Sequence, residues 1–109
     1  MGKKENAYQA ELKARIEKRI EGCYVMKNDP TFLQGVPDLV VLHPNGNWAT
    51  LEVKRSESAA KRPNQKYYVD DMNRKGFSAF IFPENEKEVL DEMERSLEAR
   101  GASRLSGGE

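Results

Sequence analysis

The middle of the chain carries a β-hairpin pattern, which constrains the fold more than any other segment does. Asp38 to His43 is predicted as a strand, and its four consecutive apolar residues, Leu39 to Leu42, suggest burial on both faces. Pro44 to Asn47 follows, with Asn-Gly at its centre, and this is a strong hairpin turn signal. Trp48 to Arg55 is therefore predicted as the next strand, antiparallel to the first.

Three charged residues on this hairpin form a pattern that suggests a catalytic site. Asp38 opens one strand, and Glu52 and Lys54 are two residues apart on the other. Because side chains alternate faces along a strand, Glu52 and Lys54 point to the same side of the sheet. Two carboxylates and an ammonium on one face can hold a divalent metal and activate water against a phosphodiester. Taken alone, Glu52 and Lys54 would also suit an ordinary exposed sheet face.

Helices are predicted on both sides of the hairpin in the sequence. Apolar residues recur every four positions near the N-terminus, which predicts a helix from about Glu5 to Glu21 that Gly22 ends. A second helix is predicted over Pro63 to Lys75, and a third opens at Asn85, with Glu88 completing a capping box. The packed faces of the first and third helices should carry Tyr8, Leu12, Ile16 and Ile20, and Val89, Leu90, Met93 and Leu97.

Two further strands are predicted, one on each side of the hairpin in the sequence. Cys23 to Lys27 precedes the hairpin, and Phe77 to Phe82 follows the second helix. The predicted order is therefore α-β-β-β-α-β plus a C-terminal helix. This order predicts an α/β (α+β) fold with a mixed central sheet.

Length and composition favour a small single domain. The 109 residues are divided into one domain over 1–100 and a tail over 101–109 that is predicted to be disordered. The single cysteine and single histidine disfavour a disulfide framework, a multi-cysteine zinc site, a His-based metal cage and a Ser-His-Asp triad. No apolar run has the length of a membrane span and the N-terminus lacks a signal-peptide core, so we expect a cytoplasmic protein with no membrane partner.

Charge is unevenly distributed although the formal net charge is zero. The segments Met1 to Ile20 and Glu52 to Lys75 each have a balance of +3, whereas Glu84 to Ala99 has a balance of −5. A local positive field around the candidate site can attract DNA despite the zero total. Mixed charge that serves only solubility is the alternative interpretation. The acidic C-terminal helix could be a dimer element, a partner surface or a lid over the core.

The motifs and the order of elements together resemble the PD-(D/E)XK nuclease superfamily. Gly35-Val36-Pro37-Asp38 is similar to its Gly-x-Pro-Asp element, and Glu52-Val53-Lys54 is similar to its (Asp/Glu)-x-Lys element. Gln65, at the start of the following helix, matches the small stand-alone VRR-NUC type of phages and bacteria. The resemblance spans about Glu5 to Leu97 and implies a restriction-endonuclease-like core.

The resemblance also implies a role for each motif residue. Asp38 and Glu52 would bind Mg²⁺, with Mn²⁺ as a substitute, and the backbone carbonyl of Val53 would add a ligand. Lys54 would position or help deprotonate a water, or stabilise charge on the phosphate. Gln65 would belong to the site on the strength of the motif, although it is also an ordinary residue for a first helical turn.

The same family often places a third acid on the first helix, where Glu5, Glu11 and Glu17 are the candidates. At about 100° per residue, the apolar stripe is centred on the direction of Glu5, and the other two lie about 120° to either side. Glu5 is therefore the predicted additional catalytic and metal-binding acid. The alternative is that Glu5 only favours the helix dipole.

The candidate nucleic-acid contacts lie near the second helix. Lys61, Arg62 and Lys66 are predicted phosphate contacts, and either Tyr67 or Tyr68 could stack on a base. Trp48 shares a face with Glu52, yet it is expected to pack under the first helix.

The expected function is metal-dependent hydrolysis of DNA phosphodiesters by an endonuclease that selects branched or junction DNA. Such a small core offers little surface for reading base sequence, and stand-alone relatives often form homodimers, some of which act on Holliday junctions. The alternatives are a non-catalytic DNA-binding module on the same fold, or a flap, single-strand or restriction-type nuclease.

Overall fold

A computed structural model describes the backbone of residues 2–29 and 31–108 and the side chains of residues 4–29 and 31–99. This part of the chain forms three α-helices and four strands, with a short 3₁₀ turn at Pro83–Asn85. The elements are α1 (Gly2–Arg19), β1 (Tyr24–Lys27), β2 (Leu39–Leu42), β3 (Trp48–Val53), α2 (Pro63–Lys75), β4 (Phe77–Ile81) and α3 (Glu86–Gly108). The predicted order of elements is confirmed. Three of the four predicted strands are longer than the observed ones at the C-terminal end.

The four strands form one mixed sheet in the order β1-β2-β3-β4. β1 and β2 are antiparallel, as are β2 and β3, whereas β3 and β4 are parallel and joined by α2. This arrangement confirms the predicted mixed sheet. It also brings the C-terminal end of β3 beside the start of α2, since the crossover to a parallel strand begins there.

The turn between β2 and β3 sets the register of the hairpin. Gly46 has a φ of 96°, and the His43 N–H donates to the Asn47 carbonyl at 2.9 Å. Leu42 therefore pairs with Trp48, and Leu39 pairs with Leu51. The Asn47 amide donates to the Leu97 carbonyl at 2.6 Å, which ties the turn to α3.

The hydrophobic core lies between one face of the sheet and helices α1 and α3. The predicted apolar stripes of both helices are buried, and they meet alternate residues of the strands. The strand residues in this core are Val25, Leu39, Val41, Ala49, Leu51, Val53, Phe77 and Ile81.

The opposite face of the sheet is covered only in part, and two predictions are wrong there. α2 packs over β3 and β4, so Val40 and Leu42 in β2 stay partly exposed and the strand is not buried on both faces. The Trp48 ring lies against Gly76 at the end of α2, not under α1, because Trp48 points to the face opposite α1. An exposed apolar strip of Tyr24 and Met26 borders this uncovered area.

The start of α3 also differs from the expected capping box. Asn85 ends the 3₁₀ turn, where its side chain accepts from the Phe82 N–H at 2.9 Å and donates to the Phe80 carbonyl at 3.1 Å. The side chain of Asn85 is therefore used to stabilise the exit from β4, and the expected reciprocal pair with Glu88 is wrong. The predicted disordered tail over 101–109 lies outside the residues with described side chains and stays a prediction.

Glu86 joins α1 to α3, and its replacement by glutamine should destabilise the fold. Its carboxylate accepts hydrogen bonds from Tyr8 at 2.8 Å and from the Arg15 Nε at 2.7 Å. Burial works against ionisation, but these bonds hold the pKa of Glu86 below its usual value. The stabilisation is therefore present above the unfolded-state pKa and is lost as pH falls through the folded-state pKa. We expect Glu86→Gln to cost about 1–2 kcal/mol near pH 7 and less near about pH 3 in urea unfolding.

The exposed Glu88 on the same helix offers a matched control for this measurement. Glu88→Gln should change the free energy of unfolding by less than about 0.5 kcal/mol. An equal loss in the two variants would show that the contacts of Glu86 with α1 contribute nothing specific.

Candidate active site

Two carboxylates meet at the C-terminal end of β3, at the point where the parallel crossover begins. Asp38 immediately precedes β2, and its Oδ2 accepts the Val53 N–H at 2.8 Å. Glu52 lies within β3 and is only 3% exposed. The two carboxyl groups lie close enough for each to shift the pKa of the other. The hairpin register thus places the two predicted acids side by side.

The burial of this acid pair makes its ionisation unfavourable. Burial, with the charge of Asp38 next in importance, raises the pKa of Glu52 to about 9. Burial also raises the pKa of Asp38, against the effect of the Val53 N–H. Like charges in a poorly solvated site favour a shared proton or a bound cation. The metal-free pair therefore holds a proton at neutral pH.

One oxygen of Glu52 lacks a partner. Among the described residues, Glu52 Oε1 is a buried polar atom without a hydrogen-bond donor. Such an atom normally costs free energy, because it has lost its water and gained no protein contact. A hard cation at this position would supply the missing interaction.

Lys54, Gln65 and Glu52 form a hydrogen-bonded chain. Lys54 is 7% exposed, and its ammonium donates to Gln65 Oε1 at 2.9 Å, while Gln65 Nε2 donates to Glu52 Oε2 at 3.1 Å. Gln65 Oε1 also accepts the Arg62 N–H at 3.0 Å, which ties the side chain to the first turn of α2. An amide suits this position because it accepts from the ammonium and donates to the carboxylate at once. The structure thus brings together Asp38, Glu52, Lys54 and Gln65.

Glu5 faces this group from α1 without joining it. Burial and the charge of Asp38 raise the pKa of Glu5, and Lys54 opposes that shift. Within the described part of the chain, no three His, Cys, Asp or Glu side chains lie close enough together to hold one metal ion. The predicted ligand roles of Glu5 and of the Val53 carbonyl stay predictions. Glu11 and Glu17 are exposed, as the helical geometry predicts.

The three residues predicted to contact phosphate differ in their surroundings. Arg62 and Lys66 are exposed at the start of α2, and Arg62 shares a shallow depression with Gly35 and Gln65. The Lys61 ammonium instead lies 5.5 Å and 5.3 Å from the ring centroids of Phe80 and Phe82. A cation held over two rings is less free to follow a phosphate.

The two candidate tyrosines for base stacking differ in how much of the side chain is exposed. Tyr67 is exposed, whereas Tyr68 is half-buried and meets the Tyr67 ring edge to face, with centroids 5.2 Å apart.

Sequence reasoning missed two residues beside the site. Asn28 donates its amide to the Pro37 carbonyl at 2.6 Å and its N–H to the Asp38 carbonyl at 2.8 Å, so it fixes the entry into β2. Arg55 lies near Glu5 and lines a depression with Lys4 on α1. The position of Arg55 next to Lys54 in the sequence was the available signal, but no local pattern revealed the role of Asn28.

Gly35 is required where the loop before Asp38 meets α2. Its φ is 90°, and a Cβ there would lie 2.7 Å from Asn64 Cγ. We therefore expect Gly35→Ala to destabilise the protein by about 2–3 kcal/mol in urea unfolding. Gly46→Ala is a matched control, because its φ is 96° but nothing lies within 4 Å of the added Cβ. Equal losses in the two variants would mean that contact with Asn64 adds no cost.

The chain is similar to a solved structure described as a VRR_NUC domain, with a TM-score of 0.60 and 30% sequence identity. The similarity covers 72% of this chain and 83% of the other. The chain belongs to the VRR-NUC family. Its α+β architecture is accordingly a restriction-endonuclease-like VRR-NUC fold, as the sequence motifs imply. No protein-family model and no curated protein matches the sequence.

The acid pair lies where the two sequence motifs of this VRR-NUC chain meet. In this VRR-NUC chain the Gly-x-Pro-Asp and Glu-x-Lys elements converge at one end of β3, and Gln65 links the lysine to the glutamate. None of the described helices is long and apolar enough to cross a membrane.

Proposed function

We propose that this VRR-NUC protein is a Mg²⁺-dependent endonuclease that hydrolyses phosphodiester bonds in DNA. The observation that carries the proposal is the buried, unpartnered Oε1 of Glu52, next to Asp38 and the Lys54–Gln65 pair. A nuclease-type fold and its family membership support it.

The donor set fits a hard divalent cation. Asp38 and Glu52 offer only oxygen atoms, and Mg²⁺ is often held by one or two carboxylates while it keeps several waters. Mn²⁺ suits the same oxygen ligands. When bound, such a cation neutralises phosphate charge and makes a nearby water more acidic. The absence of a three-acid cluster among the described residues is compatible with this pattern of binding.

Lys54 has the position of a group that acts on the phosphate. Its ammonium is oriented by Gln65 Oε1, and its remaining N–H donors are available to a phosphate oxygen or to the attacking water. Because the site is poorly solvated, a fixed positive charge there stabilises developing negative charge more than it would in water.

Branched DNA is the substrate class that we favour. Basic side chains lie on two sides of the acid pair, Arg62 and Lys66 on α2 and Arg55 with Lys4 towards α1. Such contacts to the backbone position DNA without reading its sequence.

A homodimer would present two sites to two strands, as a junction requires. The exposed Tyr24 and Met26 on the edge strand β1 provide an apolar surface for a second copy. A strict monomer by light scattering would contradict cleavage by two sites in one complex.

The decisive experiment is nicking of supercoiled plasmid and of a four-way junction in Mg²⁺ and in EDTA. Cleavage that needs the metal and disappears in Lys54→Ala would support the endonuclease. Linear, flap and fork DNAs tested beside the junction would reveal the preferred structure, and equal cleavage of all of them would contradict structure selectivity. Folded wild-type protein that binds DNA but does not cleave it in Mg²⁺ or Mn²⁺ would indicate a non-catalytic binding module.

A further inference from the structure

Two neighbouring apolar side chains protrude from the loop that leads into the candidate site. Phe32 is 89% exposed and Leu33 is 50% exposed, although neither belongs to a helix or strand. Single exposed apolar residues are common on protein surfaces, but an adjacent phenylalanine and leucine in a connecting loop form a small exposed apolar patch. Neither side chain belongs to the hydrophobic core, so the fold does not account for them.

The loop is held by hydrogen bonds at its beginning. Asp29 Oδ1 accepts the Thr31 N–H at 2.9 Å and the Thr31 hydroxyl at 2.7 Å. The Phe32 N–H donates to the Asp29 carbonyl at 3.2 Å, and Asn28 is bonded to Pro37 and Asp38. The loop is thus fastened directly to the strand that presents Asp38.

The end of the same loop packs on the helix that presents Gln65. Gly35 lies against Asn64, and Gln34 and Gly35 share one depression with Arg62 and Gln65. The two apolar residues therefore belong to a loop that is tied to the residues around Asp38 at its start and to the start of α2, with Arg62, at its end. A ligand that contacts the acid pair and Arg62 would bind next to this loop.

We propose that Phe32 and Leu33 form a wedge that stacks on an unpaired base at a DNA branch point or frayed end. This proposal rests on the proposed function and specifies which DNA the site accepts. Exposed aromatic side chains bind nucleobases through their faces, and apolar side chains act as wedges where base steps open. Base-paired duplex keeps its bases stacked, so the wedge favours branched and single-stranded segments over linear duplex.

A nucleic acid suits this surface better than a protein. Two side chains are far fewer than the roughly 20–30 residues per side of a stable protein interface. The charge next to this loop is also complementary to a phosphate backbone, since the exposed Arg62 lines the depression that the loop residues Gln34 and Gly35 share with α2.

Binding measured in EDTA tests the wedge separately from cleavage. The probes are a forked DNA with 2-aminopurine at the branch point and a linear duplex of the same sequence. We expect binding of the wild type to change the fluorescence of the 2-aminopurine base on which Phe32 stacks. Phe32→Ala should abolish this fluorescence change and weaken binding to the fork by about 10-fold or more, with little change in binding to the duplex. Phe32→Trp should keep both properties, because the larger ring still stacks.

Glu88→Ala is the control, because Glu88 is an exposed residue of α3 that belongs neither to the candidate site nor to the apolar strip of β1. It should bind fork and duplex as the wild type does. Equal losses for fork and duplex in Phe32→Ala, the same loss in Glu88→Ala, or no loss in Phe32→Ala would each overturn the wedge.

The outcome for the wedge is distinguishable from that for the nuclease. Wild-type protein that shows the Phe32-dependent fork binding but does not cleave in Mg²⁺ supports the wedge and overturns the endonuclease. Metal-dependent cleavage of forks that Phe32→Ala leaves unchanged, in binding as well as in rate, overturns the wedge alone.

Discussion

Glu52→Gln is expected to make the metal-free protein more stable and to abolish cleavage. Burial disfavours the ionised Glu52 carboxylate beside Asp38, whereas a neutral amide can donate to Asp38 and still accept from Gln65. We expect a gain of about 1–3 kcal/mol near neutral pH in EDTA, or roughly 4–8 °C in melting temperature per kcal/mol. Cleavage should be lost because a neutral amide is a poor ligand for Mg²⁺ and one carboxylate of the pair is gone.

The dependence of stability on pH provides a further test of this prediction. The pKa of Glu52 is raised from its usual 4.5 to about 9 in the folded protein. Between these two values the folded state keeps a proton that the unfolded state releases, so the stability of the metal-free wild type falls as pH rises. In Glu52→Gln this contribution to the slope should be absent.

Thermal melts in EDTA and in Mg²⁺ measure both effects. Mg²⁺ should raise the melting temperature of the wild type, since a ligand of the folded state stabilises it, and should leave Glu52→Gln unchanged. Glu88→Gln controls for the loss of one exposed negative charge and should keep the Mg²⁺ shift. A Glu52→Gln protein that is less stable than the wild type in EDTA at every pH would contradict the argument.

Lys54→Met is expected to reduce the cleavage rate by about 10²–10⁴-fold. Methionine fills a similar volume but removes the ammonium that Gln65 orients. The acid pair is left in place, so binding of Mg²⁺ should persist. The loss should therefore appear in the single-turnover rate at saturating Mg²⁺ and DNA, while the Mg²⁺-dependent shift in melting temperature remains.

Lys75→Met is the control for this substitution, because Lys75 is an exposed lysine at the far end of α2. Its cleavage rate should lie within about threefold of the wild type. If Lys54→Met cleaved DNA at the rate of Lys75→Met, Lys54 would have no catalytic role. If Lys54→Met lost the Mg²⁺ shift as well, its role would be to maintain the acid pair.

Packing explains where sequence reasoning was wrong about the fold. Alternation correctly placed Trp48 on the face of Glu52, but only the assembled sheet shows that α2, with Gly76 at its end, covers that face. Asparagine is a residue type that often caps helices, yet the Asn85 side chain forms hydrogen bonds with the end of β4 and the residue after it. In both cases a local pattern was compatible with two partners, and the choice depended on a distant element.

The sequence by itself determined the order of elements, the hairpin and the convergence of Asp38, Glu52 and Lys54. These follow from local rules, because hydrophobic periodicity, turn residues and strand alternation involve neighbours in the chain. Only the tertiary structure decided that Gln65 bridges Lys54 and Glu52, that Glu52 keeps an unpartnered oxygen, and that Phe32 protrudes from the loop before β2. These features depend on how α2 and the loop before β2 pack against the end of β3, and such contacts between segments distant in sequence have no local signature.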